Sequence, residues 1–147
     1  PLRARLVREA AASSAAERIS LVGRVERDEL ARAFARADIY LQASTTESFG
    51  ISVLEARSAG LAVIALRTST SGVGDFITDG VDGLLADDDA GLADALASLL
   101  RDPGLLERIK EHNRAVAPLA EWGTVTEMNV SAYRRAVALR QGRRGPV

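Results

Sequence analysis

The sequence predicts an α/β domain built on a mainly parallel sheet. Three observations carry this. Short strand-like runs at residues 18–23, 39–42, 61–65 and 84–86 alternate with segments of helical period. The run at 61–65 is apolar throughout, as in a parallel strand covered on both faces. Residues 44–60 read as a loop that leaves one strand and enters a helix at a glycine, Gly50.

In order, residues 2–14 have a helical stripe of Leu2, Leu6 and Val7. The run 18–23 is β-like and ends at Gly23, and 24–27 is a loop. Asp28 is placed to cap a helix over 29–37, with Leu30, Ala33, Phe34 and Ala37 on one face. A strand at 39–42 follows. The next helix starts at Ile51, carries Ile51, Leu54 and Ala59 on its apolar side, and stops at Gly60. Residues 67–74 are rich in Ser, Thr and Gly and predict a flexible loop. Residues 75–80 suit one helical turn, with Asp75 as its own cap. A turn at Asp82 and Gly83 introduces the strand 84–86. Three acids at 87–89 offer caps for a helix over 90–100, with Leu92, Leu96, Leu99 and Leu100 buried. Pro103 suits the first turn of a helix to 116. A last helix opens at Trp122 or Thr124 and runs to 140, with Trp122 as docking anchor. Residues 141–147 are a flexible tail.

The chain has 147 residues, enough for one domain with a core. Hydrophobic residues make up 47% and charged residues 27%, and net charge is −1. No basic field argues for nucleic acid. No cysteine is present, so no disulfide framework or thiolate chemistry is available. One histidine, His112, lies in a polar helix stretch and reads as solvent-facing; no metal site is expected. No apolar run approaches the roughly 20 residues of a membrane span, which leaves the cytoplasm as the default location.

The chemistry concentrates at 44–60. The first N–H groups of a helix lack internal partners, and its aligned dipoles make that end partly positive. An anion such as phosphate fits there, and Gly50 lets it approach the main chain. Two carboxylates frame this end: Glu47 in the loop, and Glu55 about a turn into the helix and leaning back toward it. Carboxylates beside a phosphate suit hydroxyl groups on either side of it. A nucleotide sugar has that layout. The same spacing also matches two capping boxes, Ser44 with Glu47 and Ser52 with Glu55, so either acid could simply cap a helix.

Glu47, Phe49, Gly50, Leu54, Glu55 and Ala56 resemble the E-x7-E motif of retaining glycosyltransferases of family 4 with the GT-B fold. Ser48 stands where glycine is usual. The resemblance spans nearly the whole chain. Gly23 and Val25, Glu29 and Leu30, then Ala37 and Asp38 take family places, as do Asp79, Gly80, Gly83, Leu84 and Leu85. Ala62 replaces the usual proline, and Asp75 the commoner glutamate.

The resemblance implies a Rossmann-like, mainly parallel sheet with helices on both faces, forming part of the C-terminal domain of a GT-B enzyme. Residues 1–140 would be an incomplete nucleotide-sugar-binding domain, lacking its first two strands and the acceptor-holding N-terminal domain. Membrane association would come through that missing half, and self-association through an open sheet edge. The implied reaction moves a sugar from a nucleoside diphosphate donor to an acceptor hydroxyl with retention. Glu47 would contact the donor sugar. Main-chain N–H groups around Gly50, Ile51 and Ser52 would hold the distal phosphate, and Glu55 the ribose hydroxyls. Arg24 and Val25 would line the base and Phe49 would wall the pocket. No cofactor or metal is implied. Rival readings are a nucleotide-binding fragment without turnover and a nucleotide-sugar epimerase. The first is separated by a turnover assay. The epimerase is disfavoured by the two-glutamate spacing.

Overall fold

The computed structural model describes residues 2–47, 49–70, 72–117 and 122–142. The chain divides into two compact units, Pro1–Ala33 and Phe34–Val147.

In the first unit, α1 spans Leu2–Ala12 and buries none of its residues, so Leu2, Leu6 and Val7 stay exposed. A 3-10 turn follows at Ala16–Arg18. The strand expected at 18–23 does not form among the described residues. A strand exists only through ladder partners. Here Ile19, Leu21 and Val22 are exposed, and the Leu21 carbonyl accepts instead from Arg3 Nη2 at 3.3 Å. Helix α2, Arg27–Phe34, begins before Asp28 and ends before Ala37. Asp28 therefore sits in its first turn, where an acid still favours the dipole.

The second unit is built on three parallel strands in the order β1 (Ile39–Gln42), β2 (Ala62–Leu66), β3 (Gly83–Ala86). Helix α3 (Ile51–Ser58) links β1 to β2, and α4 (Asp89–Arg101) and α5 (Pro103–Ala115) follow β3. Every residue of β2 is buried, as its unbroken apolar run requires. Ala62, Ile64 and Leu66 face Leu92, Leu99 and Ile109 of α4 and α5. By strand alternation Val63 and Ala65 face the other way and are equally buried, with α3 packed on β1 and β2. The register sets Tyr40 beside Val63 and Gln42 beside Ala65, so both share that second face.

The caps follow from sequence. Asp88 accepts from Gly91 N–H at 2.7 Å, and Asp102 accepts from Leu105 N–H at 2.9 Å ahead of Pro103. Leu92 and Leu99 are buried as expected, whereas Leu100 is exposed. The burial of α3 differs from expectation. Val53, Ala56 and Arg57 face inward, while Ile51 and Ala59 are exposed. The helical turn expected at 75–80 lies earlier, as a 3-10 turn at Gly72–Asp75. Asp75 ends that turn, and Asp79 instead bridges to Gly83 and accepts from Leu85 N–H at 2.8 Å. Asn113 is buried and His112 half-buried. Helix α6, Trp122–Gly142, closes the described chain. Readings on Ser48, the Trp122 side chain and the tail beyond Gly142 lie outside the described residues.

Candidate functional site

Residues 43–50 leave the carboxyl end of β1 and enter α3 at Gly50, whose φ is 73° and ψ 42°. That left-handed conformation is costly for any residue with a Cβ. A Cβ there would also stand 2.7 Å from Val73 Cγ2. Glycine is thus required twice over, and it cannot cap the helix with a side chain. Glu47 does so instead. Its Oε1 accepts from Gly50 N–H at 3.2 Å and makes a longer contact to Phe49 N–H at 3.5 Å. Its Oε2 accepts from Gln42 Nε2 at 3.3 Å.

Neither expected capping box forms. Helix α3 starts at Ile51, so Ser52 is already inside it, and no helix starts at Ser44.

The Glu47 main chain is fixed as well. Its N–H donates to Thr70 O at 3.3 Å, and its carbonyl accepts from Gly72 N–H at 3.2 Å. The hydroxyls of Thr68 and Thr70 each donate to Thr45 O at 2.9 Å. The segment expected to be a flexible loop is therefore clamped to the Glu47 loop, because each supplies the other's polar partners.

At the helix start, Val53 and Leu54 donate to Gly50 O, and Gly50 N–H is engaged by Glu47. Among the described residues, the N–H groups of Ile51 and Ser52 have no acceptor. Among the described residues, these are the two amides left open at the positive end of α3. Ile51 and Phe49 are exposed beside them, and the Phe49 ring meets Phe76 edge-on with centroids 4.7 Å apart.

Tyr40 is linked to Glu47 through Gln42. Its hydroxyl donates to Gln42 Oε1 at 2.6 Å, and its ring meets Phe34 edge-on at 5.6 Å. Burial pushes its phenol above the ordinary tyrosine range; the Ser52 hydroxyl opposes this, and the carboxylates of Glu47 and Glu55 add to it. One phenol thus feels Glu47 from the loop and Glu55 from α3. The structure holds Glu47 against Gly50 at the start of α3, beside Ile51 and Ser52, with Glu55 about one turn further along the helix and Phe49 exposed. Arg24 and Val25 belong to the first unit, on the turn before α2, with Arg24 exposed and Val25 half-buried.

Tyr40 and Gln42 were not among the residues expected at the site. A signal existed: two polar-tipped residues two apart on a strand point to one face, and this strand feeds the loop.

The fold is that of the GT-B glycosyltransferases. The chain belongs to the family described as Glycosyl transferases group 1, which matches residues 1–116. It is 32% identical over 121 residues to a D-inositol 3-phosphate glycosyltransferase of Xylanimonas cellulosilytica, covering 81% of this chain and 28% of that one. Among solved structures, the sucrose-phosphate synthase of Thermosynechococcus elongatus superposes with a TM-score of 0.66 at 26% identity, over 91% of this chain and 33% of that one. The pneumococcal O-GlcNAc transferase GtfA, solved with UDP and GlcNAc, superposes with a TM-score of 0.65 at 26% identity, over 91% of this chain and 27% of that one. The chain thus spans about a third or less of the length of these relatives.

Proposed function

We propose that this chain is the donor-binding part of a glycosyltransferase. The enzyme would transfer a sugar from a nucleoside diphosphate sugar to an acceptor hydroxyl, with retention of configuration. One observation carries the reading: the amides of Ile51 and Ser52, without acceptors among the described residues, stand at the positive end of α3 between the loop acid Glu47 and the helix acid Glu55. The amides of Ile51 and Ser52 would take the distal phosphate and stabilise the charge that grows on the leaving group. Gly50 contributes its conformation rather than its amide, which Glu47 occupies. Glu47 would accept from hydroxyls of the donor sugar and Glu55 from the ribose. Phe49 would wall the pocket. The reading draws support from the UDP seen with a relative of the same fold.

No metal or cofactor enters this scheme, because amide donors take the phosphate charge. Among the described residues, no helix is long and apolar enough to cross a membrane. We place the activity in the cytoplasm, with residues 1–140 acting beside an acceptor-binding domain. The outer edge of β1, unpaired among the described residues, would support strand pairing with a second copy.

Glu55→Ala tests the nucleotide half of the site. Loss of the hydrogen bonds that the carboxylate accepts from the ribose hydroxyls, worth about 1.5–3 kcal/mol, should raise the Kd of a nucleoside diphosphate roughly 10- to 100-fold. Calorimetry on the intact protein reads this directly. An unchanged Kd with a lowered melting temperature would assign Glu55 to structure alone. A second reading, binding without turnover by this chain alone, is favoured by the small share of its relatives that it covers. A transfer assay on the isolated chain separates the two.

A further inference from the structure

We propose that Gln42, set by Tyr40, is a positioning residue that holds the Glu47 carboxylate in the orientation the donor sugar meets. The proposal rests on the reading of Glu47 as the sugar-contacting acid. A carboxylate can only accept hydrogen bonds. The 3.3 Å contact to Glu47 Oε2 must therefore come from the Gln42 NH2 group, which leaves the Gln42 carbonyl oxygen facing Tyr40. Tyr40 has one proton to give, and it gives it at 2.6 Å. The three side chains thus form a line with one polarity: phenol to amide oxygen, amide nitrogen to carboxylate.

That line decides which Glu47 sites remain for a ligand. Oε1 is held by the Gly50 amide and Oε2 by Gln42. Two donors on two different oxygens stop the carboxylate from rotating about its terminal bond. The remaining lone pairs then point in a fixed direction. A preset acceptor loses little order when a sugar hydroxyl arrives. The first two members sit on the rigid strand β1, two residues apart on the face shared with α3. Helix α3 sets the Ser52 hydroxyl against the same phenol. A phenol is protonated at neutral pH in any case, and burial pushes that of Tyr40 further up, so it stays a donor.

Tyr40→Phe and Gln42→Leu in the intact protein test the proposal, with Glu47→Gln beside them. Tyr40→Phe keeps the ring against Phe34, and Gln42→Leu keeps similar bulk. Each should lower kcat for sugar transfer about tenfold, or about 1.4 kcal/mol. The Kd for whichever of UDP, GDP and ADP binds tightest should stay within about twofold of wild type, since those probes carry no sugar. Melting temperature should move little. The proposal is overturned if both variants keep wild-type kcat, or if kcat falls only in step with nucleotide affinity and melting temperature. Should Glu47→Gln lose turnover while the other two do not, the line alone is wrong and the role of Glu47 stands. Should Glu47→Gln keep full turnover, or no nucleoside diphosphate bind, the underlying reading fails and the proposal with it.

Discussion

Glu47→Ala is expected to lower turnover of the intact protein by roughly 10²–10³-fold, the size seen when one preorganised polar contact to a transition state is removed. Nucleoside diphosphate affinity should stay close to wild type, because Glu55 and the Ile51 and Ser52 amides remain. Glu47 also caps Gly50 N–H, so the change carries a structural cost of about 0.5–2 kcal/mol, typical of a lost helix cap. Two effects therefore come apart in two measurements. Thermal unfolding reads the cap, and steady-state kinetics with a nucleotide sugar read the chemistry. Glu47→Gln sharpens the split. Its amide oxygen can still accept from Gly50 N–H, but its NH2 would face that of Gln42. Stability should thus recover in part while turnover stays low. A melting temperature lowered in Glu47→Ala with kinetics untouched would reduce Glu47 to a cap.

Asp82→Ala is expected to cost about 3–5 kcal/mol of folding stability, the penalty for stranding a buried charge. Arg57 on α3 is only 4% exposed, Asp82 5% and Asn113 3%. Each of the three guanidinium nitrogens of Arg57 has a partner. Nη2 meets Asp82 Oδ2 at 3.2 Å, Nη1 donates to Phe76 O at 3.1 Å, and Nε donates to Asn113 Oδ1 at 3.3 Å. Asp82 Oδ1 accepts from Thr78 N–H at 2.7 Å. Asn113 donates onward to the carbonyls of Leu61 at 2.8 Å and Asp82 at 2.9 Å. The network joins α3, the turn before β3, and α5, and no buried side-chain polar atom among the described residues is left without a partner. Removing the aspartate leaves the guanidinium buried without its counter-charge and Thr78 N–H without its acceptor. Urea unfolding should show the loss as a lower midpoint at unchanged slope. Arg57→Met combined with Asp82→Ala should lose less than the sum of the two single changes, since the pair leaves together. Additive losses would mean that the two charges do not depend on each other.

What could be read from the sequence was local. The strand Ile39–Gln42 emerged with its predicted bounds because an apolar run between turn residues is a short-range signal. The Asp88 cap, one of the three acids at 87–89, and the position of Pro103 are equally local. The loop-to-helix entry at Gly50 was legible because it combines a glycine, a following helical period and two acids. Most of the misses share one cause: they depend on partners far along the chain. The run 18–23 has strand composition, but composition cannot supply a ladder partner. Arg57 reads as a surface cation until Asp82 and Asn113 are brought to it. It shares the buried face of α3 with Val53 and Ala56, and Ile51 and Ala59 lie outside that face. The Ser- and Thr-rich segment at 67–74 reads as mobile until Thr68 and Thr70 are seen bonded to Thr45. The capping boxes failed for a smaller reason: the helix begins at Ile51, so Ser52 sits inside it rather than at its cap.

A crystal structure of the intact protein with a bound nucleoside diphosphate tests the central claim most directly. The account predicts the distal phosphate within hydrogen-bonding distance of the Ile51 and Ser52 N–H groups, with the ribose hydroxyls on the Glu55 carboxylate. A nucleotide bound elsewhere, with those two amides left open and Glu55 away from the ribose, would contradict it.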